Sequence, residues 1–325
     1  MARVTEPPDA RASTEILVWL EWPERCFRVD AAALGHLRAL ASPQAAIVRV
    51  RSERAFLRAL ATATHALTWS FKADWFARAK RLRVLATPAA GKELLPQAAP
   101  EGVRLHFGGF HGRIIAESVA GFMLAWCRGF FAARNLGGDL PRGDGGLWPR
   151  TFLASRCRLL AGTQAVIVGY GRIGRAIGAK LEALGVTVRG FGRGNLADFP
   201  AAAKTADWLV LALPSTTGTD DFLSASRLRL LPRRCVVVNV GRGNAVDELA
   251  LVAALRAGRL AGAYLDVIKR EPTFLTLGTV PADDRARVPK ILGVVPNLVT
   301  MPHVSACAAE YMGFFFEELK HEGLI

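Results

Sequence analysis

Residues Gln164 to Arg193 read QAVIVGYGRIGRAIGAKLEALGVTVRGFGR, and this stretch decides how the rest of the chain is interpreted. Ala165 to Val168 form a short apolar run with the character of a buried strand. Gly169-Tyr170-Gly171-Arg172-Ile173-Gly174 then leads into a helical pattern with apolar residues at Ile173, Ile177, Leu181 and Leu184. Gly185 closes that helix, and Val186-Thr187-Val188 opens a second strand. In a chain with 31 glycines a G-x-G-x-x-G spacing is easily met by chance. What gives it meaning is its place between a strand and a helix in one compact β-α-β unit, the setting of a dinucleotide site. Each glycine then has a physical task. The first permits the tight turn, the second lets backbone approach a pyrophosphate, and the third lets helix and strand pack closely. The helix N-terminus adds N–H donors and partial positive charge. The alternative is a glycine-rich turn in an ordinary α/β protein.

The chain has 325 residues, of which 51% are hydrophobic and 22% charged, which predicts two domains with substantial cores. The opening MARVTEPPDARAST has no apolar h-region, so no secretory signal is expected. The best apolar run, Ser118 to Cys127, is far short of a membrane span, and no membrane partner is expected. Five scattered cysteines without C-x-x-C spacing read as reduced thiols of a cytoplasmic protein, and no metal ligands are assigned. The net charge of +14 comes from dispersed arginines rather than a basic stripe interleaved with aromatics, so nucleic acid is not an expected partner.

Before the glycine unit, strands are expected at Glu15–Leu20, Ala46–Val50, Ala66–Trp69, Arg83–Ala86 and Val103–Phe107, with helical patterns at Ala31–Leu40, Glu53–Leu60 and Asp74–Ala79. This alternation predicts a small parallel α/β domain. Thr87-Pro88-Ala89-Ala90-Gly91-Lys92 follows a strand and opens into Glu93-Leu94-Leu95. Its small residues leave backbone N–H groups free to meet an anion, or it is an ordinary strand-to-helix turn. Ile114 to Ala133 reads as one continuous apolar helix, buried in a core or at a subunit interface. Beyond the glycine unit, strands are expected at Trp208–Leu213, Val236–Val240, Ala261–Val267 and Val294–Thr300. Asp247 is expected to cap a helix Glu248–Arg256 that Gly258 stops, and Cys307–Leu324 to form one amphipathic helix.

In an open parallel sheet, ligands bind beyond the carboxyl ends of the strands. The strand ends after the glycine unit present Arg242, Asp266 with Glu271 close behind, and His303. Leu213, Pro214, Thr219 and Val240, at or just past strand ends, join the residues expected at the cofactor. An arginine, a carboxylate and an imidazole around a nicotinamide suit ketone reduction. The arginine grips a substrate carboxylate with two hydrogen bonds, the histidine delivers a proton, and the acid orients it. Taken singly, each has an ordinary alternative: a turn residue at Arg242, a solvated acid at Glu271, a capping residue at His303.

The motifs VGYGRIG, ALPSTTGT, VNVGRG, YLDVIKREP and MPHVSA, in this order, resemble the D-isomer-specific 2-hydroxyacid dehydrogenases. A weaker likeness runs through ATPAAGKE and HGRIIAESVAGFMLAWCR. The resemblance implies two Rossmann-like, flavodoxin-like parallel-sheet domains, with a nucleotide domain (113–303) inserted into a substrate domain (1–112 and 304–325). It implies Arg242 as substrate anchor, His303 as acid/base with Glu271 as its partner, and Asp266 near the nicotinamide carboxamide. Ala89, Ala90 and Gly91 would bind the substrate carboxylate through their backbone. A homodimer joined through the nucleotide domain is also implied. A non-catalytic NAD(P)-sensing, co-repressor-like protein of the same fold is the alternative, and retention of Arg242, Glu271 and His303 together argues for the enzyme.

The chain departs from the pattern in places. The acid that normally ends the second strand and holds the ribose 2′-hydroxyl is replaced by Gly192, with Arg193 next. Loss of a repelling carboxylate and gain of an arginine suit a 2′-phosphate, so NADP(H) is expected over NAD(H). Lys92 stands where an apolar residue is usual, and His111 where asparagine is common. The segment from Glu271 to His303 is also long. Lys92 and that segment are expected to select a substrate with a second anionic or bulky group.

Overall fold

The computed structural model describes residues 14–135, 149–269, 292, 295 and 297–325. These form two compact units, one of 14–110 with 307–325, the other of the described residues of 111–306. Glu271 and most of the segment after it lie outside the described residues.

In the first unit, β1 (Glu15–Trp19), β2 (Ala46–Arg49), β3 (His65–Thr68), β4 (Val84–Thr87) and β5 (Arg104–Phe107) form an all-parallel sheet in the order β2-β1-β3-β4-β5. Leu17, Ala66 and Leu85 point into one apolar layer with Phe56, Leu60 and Trp75. The helices α1 (Ala31–Leu40) and α2 (Glu53–Ala59) start where Asp30 and Ser52 accept the N–H groups of Ala33 and Ala55. The last helix, Tyr311–His321, packs on α1 and buries Phe315, Phe316 and Leu319 completely. It begins four residues later than the apolar pattern suggests. The stretch after β4 turns without forming a helix over Glu93-Leu94-Leu95, which end at Pro96. A proline removes an N–H and disfavours helical backbone in the residue before it.

The second unit contains α3 (His111–Cys127), α4 (Phe130–Asn135), α5 (Arg150–Ala154), β6 (Gln164–Val168), α6 (Arg172–Ala183), β7 (Thr187–Phe191), α7 (Phe199–Ala203), β8 (Trp208–Leu211), α8 (Ala225–Leu228), β9 (Val236–Asn239), α9 (Glu248–Arg256), β10 (Gly262–Leu265) and β11 (Leu298–Thr300). Its sheet is parallel, in the order β11-β10-β9-β8-β6-β7. The order reverses between β6 and β8, which creates a crevice at their carboxyl ends. Both faces are covered, which explains the unbroken apolar runs of β8 and β9. Val166, Leu209, Val237 and Leu265 face a layer with Phe199, Leu251 and Leu255. Ile167, Val210, Val238 and Tyr264 face the opposite layer, where Val119, Phe122, Ile177 and Leu181 pack.

The apolar helix expected over 114–133 is two helices. Gly129 adopts a left-handed conformation (φ +74°) and separates α3 from α4. Leu124 is 39% exposed and Phe130 65% exposed, so this segment is not buried all round. By contrast, Asp247 does cap α9 by accepting the N–H of Ala250, and Gly258 ends it with φ +61°. Among the described residues no helix is long and apolar enough to cross a membrane.

Candidate active site

The glycine turn stands at the carboxyl end of β6, and each glycine has its own physical reason. Gly169 has φ +92°, and a methyl there would lie 2.5 Å from the carbonyl oxygen of Ala212, just past β8. A methyl on Gly174 would lie 2.4 Å from the carbonyl oxygen of Gly169, so α6 presses directly on the turn. At Gly171, the N-cap of α6, a methyl would meet nothing within 4 Å. That position is open to a ligand, at a helix N-terminus with no acid in its first turn. Arg172 begins the helix and is exposed, while Ile173 is half-buried. Tyr170 is spent differently. Its N–H donates to the carbonyl of Phe191, and its ring lies in a slot where a side chain on Gly190 or Gly178 would strike it.

Past the end of β7, the N–H of Gly192 donates to Asn195 Oδ1 (2.8 Å), and Asn195 Nδ2 donates back to the carbonyl of Gly190 (3.0 Å). Arg193 stands exposed in the turn so held. The sequence reading missed Asn195. Its signal was an asparagine three residues past a glycine at a strand end, a common way to clasp a turn.

After β8, the Thr219 hydroxyl donates to the carbonyl of Pro214 (2.7 Å) and accepts the N–H of Thr216 (3.0 Å). Thr219 therefore shapes the loop that Leu213 and Pro214 begin. After β9, fully buried Asn239 accepts the N–H of Gly241 (3.2 Å) and donates to the carbonyl of Arg242 (3.1 Å). This clasp turns Arg242 out of the sheet; its guanidinium donates to the carbonyl of Gly241 at 3.0 Å. Gly241 and Gly243 are required by close approach. Methyls there would lie 2.5 Å from Leu213 backbone and 2.0 Å from Ile268 backbone, respectively. Val240, 5% exposed, packs into the core layer instead of lining an open surface. Asn239 was also missed, although a polar residue ending the run Val236-Val237-Val238 was its sign.

Asp266 follows β10 and is 3% exposed. Its carboxylate accepts the N–H groups of Val304 (3.0 Å) and Ser305 (3.1 Å), while its carbonyl accepts the N–H of His303 (2.8 Å). His303 is exposed and left-handed, with φ +56°. Burial raises the Asp266 pKa above the ordinary carboxylate value, an effect that the nearby His303 and the N–H donors oppose. Tyr264 completes the clasp through a 2.7 Å hydrogen bond between its hydroxyl and that of Ser305; burial and the charge of Asp266 push its pKa up to about 12. Glu271 itself lies outside the described residues. The residue two before it, Lys269, donates its N–H to Glu248 (2.7 Å) and its ammonium pairs with Asp221.

The loop Ala89–Lys92 belongs to the first unit. Buried Thr87 supports it, accepting the N–H of Ala89 (3.2 Å) and donating to the carbonyl of Trp69 (3.0 Å). Ala90 and Lys92 are exposed, and Ala89 and Gly91 half-buried. A methyl on Gly91 would fall 2.3 Å from Glu93 Oε1, so a carboxylate folds over the loop beside Lys92. His111, buried, opens α3.

The structure thus brings Gly169, Leu213 and Gly241 together by backbone contact at the ends of β6, β8 and β9, and ties His303 to Asp266. Residues 121–305 match a family model described as "D-isomer specific 2-hydroxyacid dehydrogenase, NAD binding domain". A glycerate dehydrogenase of Methylorubrum extorquens is 28% identical over 258 residues, covering 76% of this chain and 77% of that protein. A glyoxylate reductase of Thermococcus kodakarensis is 30% identical over 217 residues, covering 61% and 64% respectively. The fold is shared with the NAD-complexed D-isomer specific 2-hydroxyacid dehydrogenase of Lactobacillus delbrueckii ssp. bulgaricus, with a TM-score of 0.75, 17% identity and 96% of each chain covered. The family match spans more than half of the chain and contains the glycine cradle, the Asn239 clasp and the Asp266–His303 link, and the chain belongs to the D-isomer specific 2-hydroxyacid dehydrogenases, nicotinamide-dependent oxidoreductases.

Proposed function

We propose that the protein is an NADPH-preferring reductase of a 2-oxoacid, interconverting it with the D-2-hydroxyacid. The observation that carries this reading is the cradle. Open space above Gly171 suits a pyrophosphate, and β7 is followed by Gly192-Arg193 where a carboxylate would repel a 2′-phosphate. Gly169 to Gly174, Gly192, Arg193, Leu213, Pro214, Thr219 and Asp266 would hold the cofactor, whereas Val240 supports the site from the core. When bound, it supplies a hydride to the substrate carbonyl carbon. Arg242 grips the substrate carboxylate, assisted by the N–H groups of Ala89, Ala90 and Gly91. His303 gives its proton to the carbonyl oxygen, and Glu271 holds the imidazole protonated and aimed. Asp266 fixes the loop from which His303 projects.

The first unit is the substrate domain and the second the nucleotide domain. The exposed apolar residues Leu124 and Phe130 support a homodimer formed through the second unit. Lys92 selects for a second anionic or bulky group on the substrate. A panel of 2-oxoacids (glyoxylate, hydroxypyruvate, phenylpyruvates and branched 2-oxoacids) with NADPH and NADH tests the reading. Turnover of one class with a higher kcat/KM for NADPH is expected. Undiminished turnover in His303→Ala would refute the acid/base assignment, and a preference for NADH would refute the cofactor assignment.

A further inference from the structure

The first unit contains a polar cluster that hydride transfer does not use. His106, on the edge strand β5, is 6% exposed and faces Glu318 on the last helix and Glu322 just past its end. Its Nδ1 lies 3.2 Å from Glu322 Oε2, and its Nε2 lies 3.6 Å from Glu318 Oε1. Nε2 is buried and makes no hydrogen bond. One ligand atom from each of the three side chains lies within 4.8 Å of the others.

A neutral imidazole carries one N–H. With that proton on Nδ1, Nε2 turns a buried lone pair toward an anionic oxygen of Glu318. A buried lone pair facing a carboxylate is relieved by a cation between them, either a second proton on the ring or a metal ion. One imidazole nitrogen and two carboxylate oxygens are a donor set for zinc-class divalent ions. Both carboxylates also have partners beyond His106. Glu318 accepts the N–H groups of Gly109 (3.0 Å) and Phe110 (3.1 Å), and Arg104 lies 3.2 Å from Glu322 Oε2. Such outer partners orient metal ligands. The Arg104 charge opposes a cation, whereas the two carboxylates favour it and outnumber it.

We propose that His106, Glu318 and Glu322 bind a zinc-class divalent metal ion, with water completing the coordination, and that this ion clamps the last helix to β5. The ion stabilises the fold and takes no part in hydride transfer.

The test uses the untagged full-length chain with Co²⁺ as a spectroscopic probe and Zn²⁺ for affinity. The expected result is one ion per chain, a Co²⁺ spectrum without thiolate charge-transfer bands, and a Tm that rises with Zn²⁺. Glu318→Gln also disturbs the Gly109 and Phe110 contacts and risks misfolding. Glu322→Gln leaves those contacts intact, and is expected to weaken Zn²⁺ binding by at least about tenfold while circular dichroism stays native. Three outcomes overturn the proposal: no uptake by the folded wild type, equal affinity in Glu322→Gln, or thiolate bands that place the ion on cysteine. The first would leave a proton as the bridging cation.

Discussion

His303 hangs from Asp266: its backbone N–H donates to the Asp266 carbonyl at 2.8 Å, and the Asp266 carboxylate holds the next two N–H groups, of Val304 and Ser305. The residue with the candidate proton is therefore positioned by a buried acid, and its left-handed backbone is part of that arrangement. Asp266→Ala leaves two N–H groups without partners. It is expected to cost about 1–3 kcal/mol in urea unfolding. It should also lower kcat more than it raises the KM of the 2-oxoacid, because it displaces His303 while leaving Arg242 in place.

The same acid gives a pH signature. Its folded pKa is raised above the ordinary 3.8, so between 3.8 and the folded value the native state binds more protons than the unfolded chain. Stability from this group therefore falls as pH rises through that window, and is regained as pH falls. In parallel urea titrations, the stability of wild type relative to Asp266→Asn should increase on acidification and level off below about 3.8. A difference that shrinks on acidification would contradict the assigned direction.

The glycines of the cradle should separate folding from binding. Gly169→Ala forces a side chain into φ +92° and against the Ala212 carbonyl, and should lower the Tm sharply or abolish soluble expression. Gly171→Val places its Cβ in open space at φ −84°, so the Tm should barely change. Cofactor affinity, measured by quenching of protein fluorescence, should nevertheless fall by about tenfold or more, since the branch occupies the approach to the helix N-terminus.

Arg193 is exposed on the turn that Asn195 clasps, so removing it should not disturb the core. Arg193→Ala should reduce the NADPH-to-NADH ratio of kcat/KM by about 10–100-fold, the value of one charged hydrogen-bonding partner. Asn195→Ala should produce a smaller loss in the same direction. An unchanged ratio in Arg193→Ala would place 2′-phosphate recognition elsewhere.

Leu124 and Phe130 expose apolar surface on either side of the Gly129 break. If the second unit forms the dimer, Phe130→Asp should shift light-scattering mass from dimer toward monomer at micromolar concentration. A Leu124→Glu, Phe130→Asp double variant should complete the shift, with circular dichroism unchanged. A wild type that is monomeric at every concentration would exclude this interface.

Local features were legible in the residues themselves, because their causes lie within a few positions. The β6–turn–α6 unit, the Asp247 cap, the Gly185 and Gly258 stops, and the apolar runs of β8 and β9 depend on backbone freedom, capping and burial on two faces. Local pattern failed where one residue overrides a trend: Gly129 divides an apolar helix.

The sequence alone determined the class of fold and the chemistry available at the strand ends, since a strand, a glycine turn and a helix in succession place particular residue types at a sheet's carboxyl edge. Only the tertiary structure decided how those residues are held. Asp266 clasps Val304 and Ser305 from 38 and 39 residues away, Asn239 turns out Arg242 through backbone bonds, and Tyr170 is taken up by a slot between two glycines. His106 meets Glu318 and Glu322 because β5 and the last helix, distant in the chain, pack in one unit. Hydrogen bonds and ion pairs act over a few ångströms, so partners remote in sequence become visible only when the packing that joins them is known.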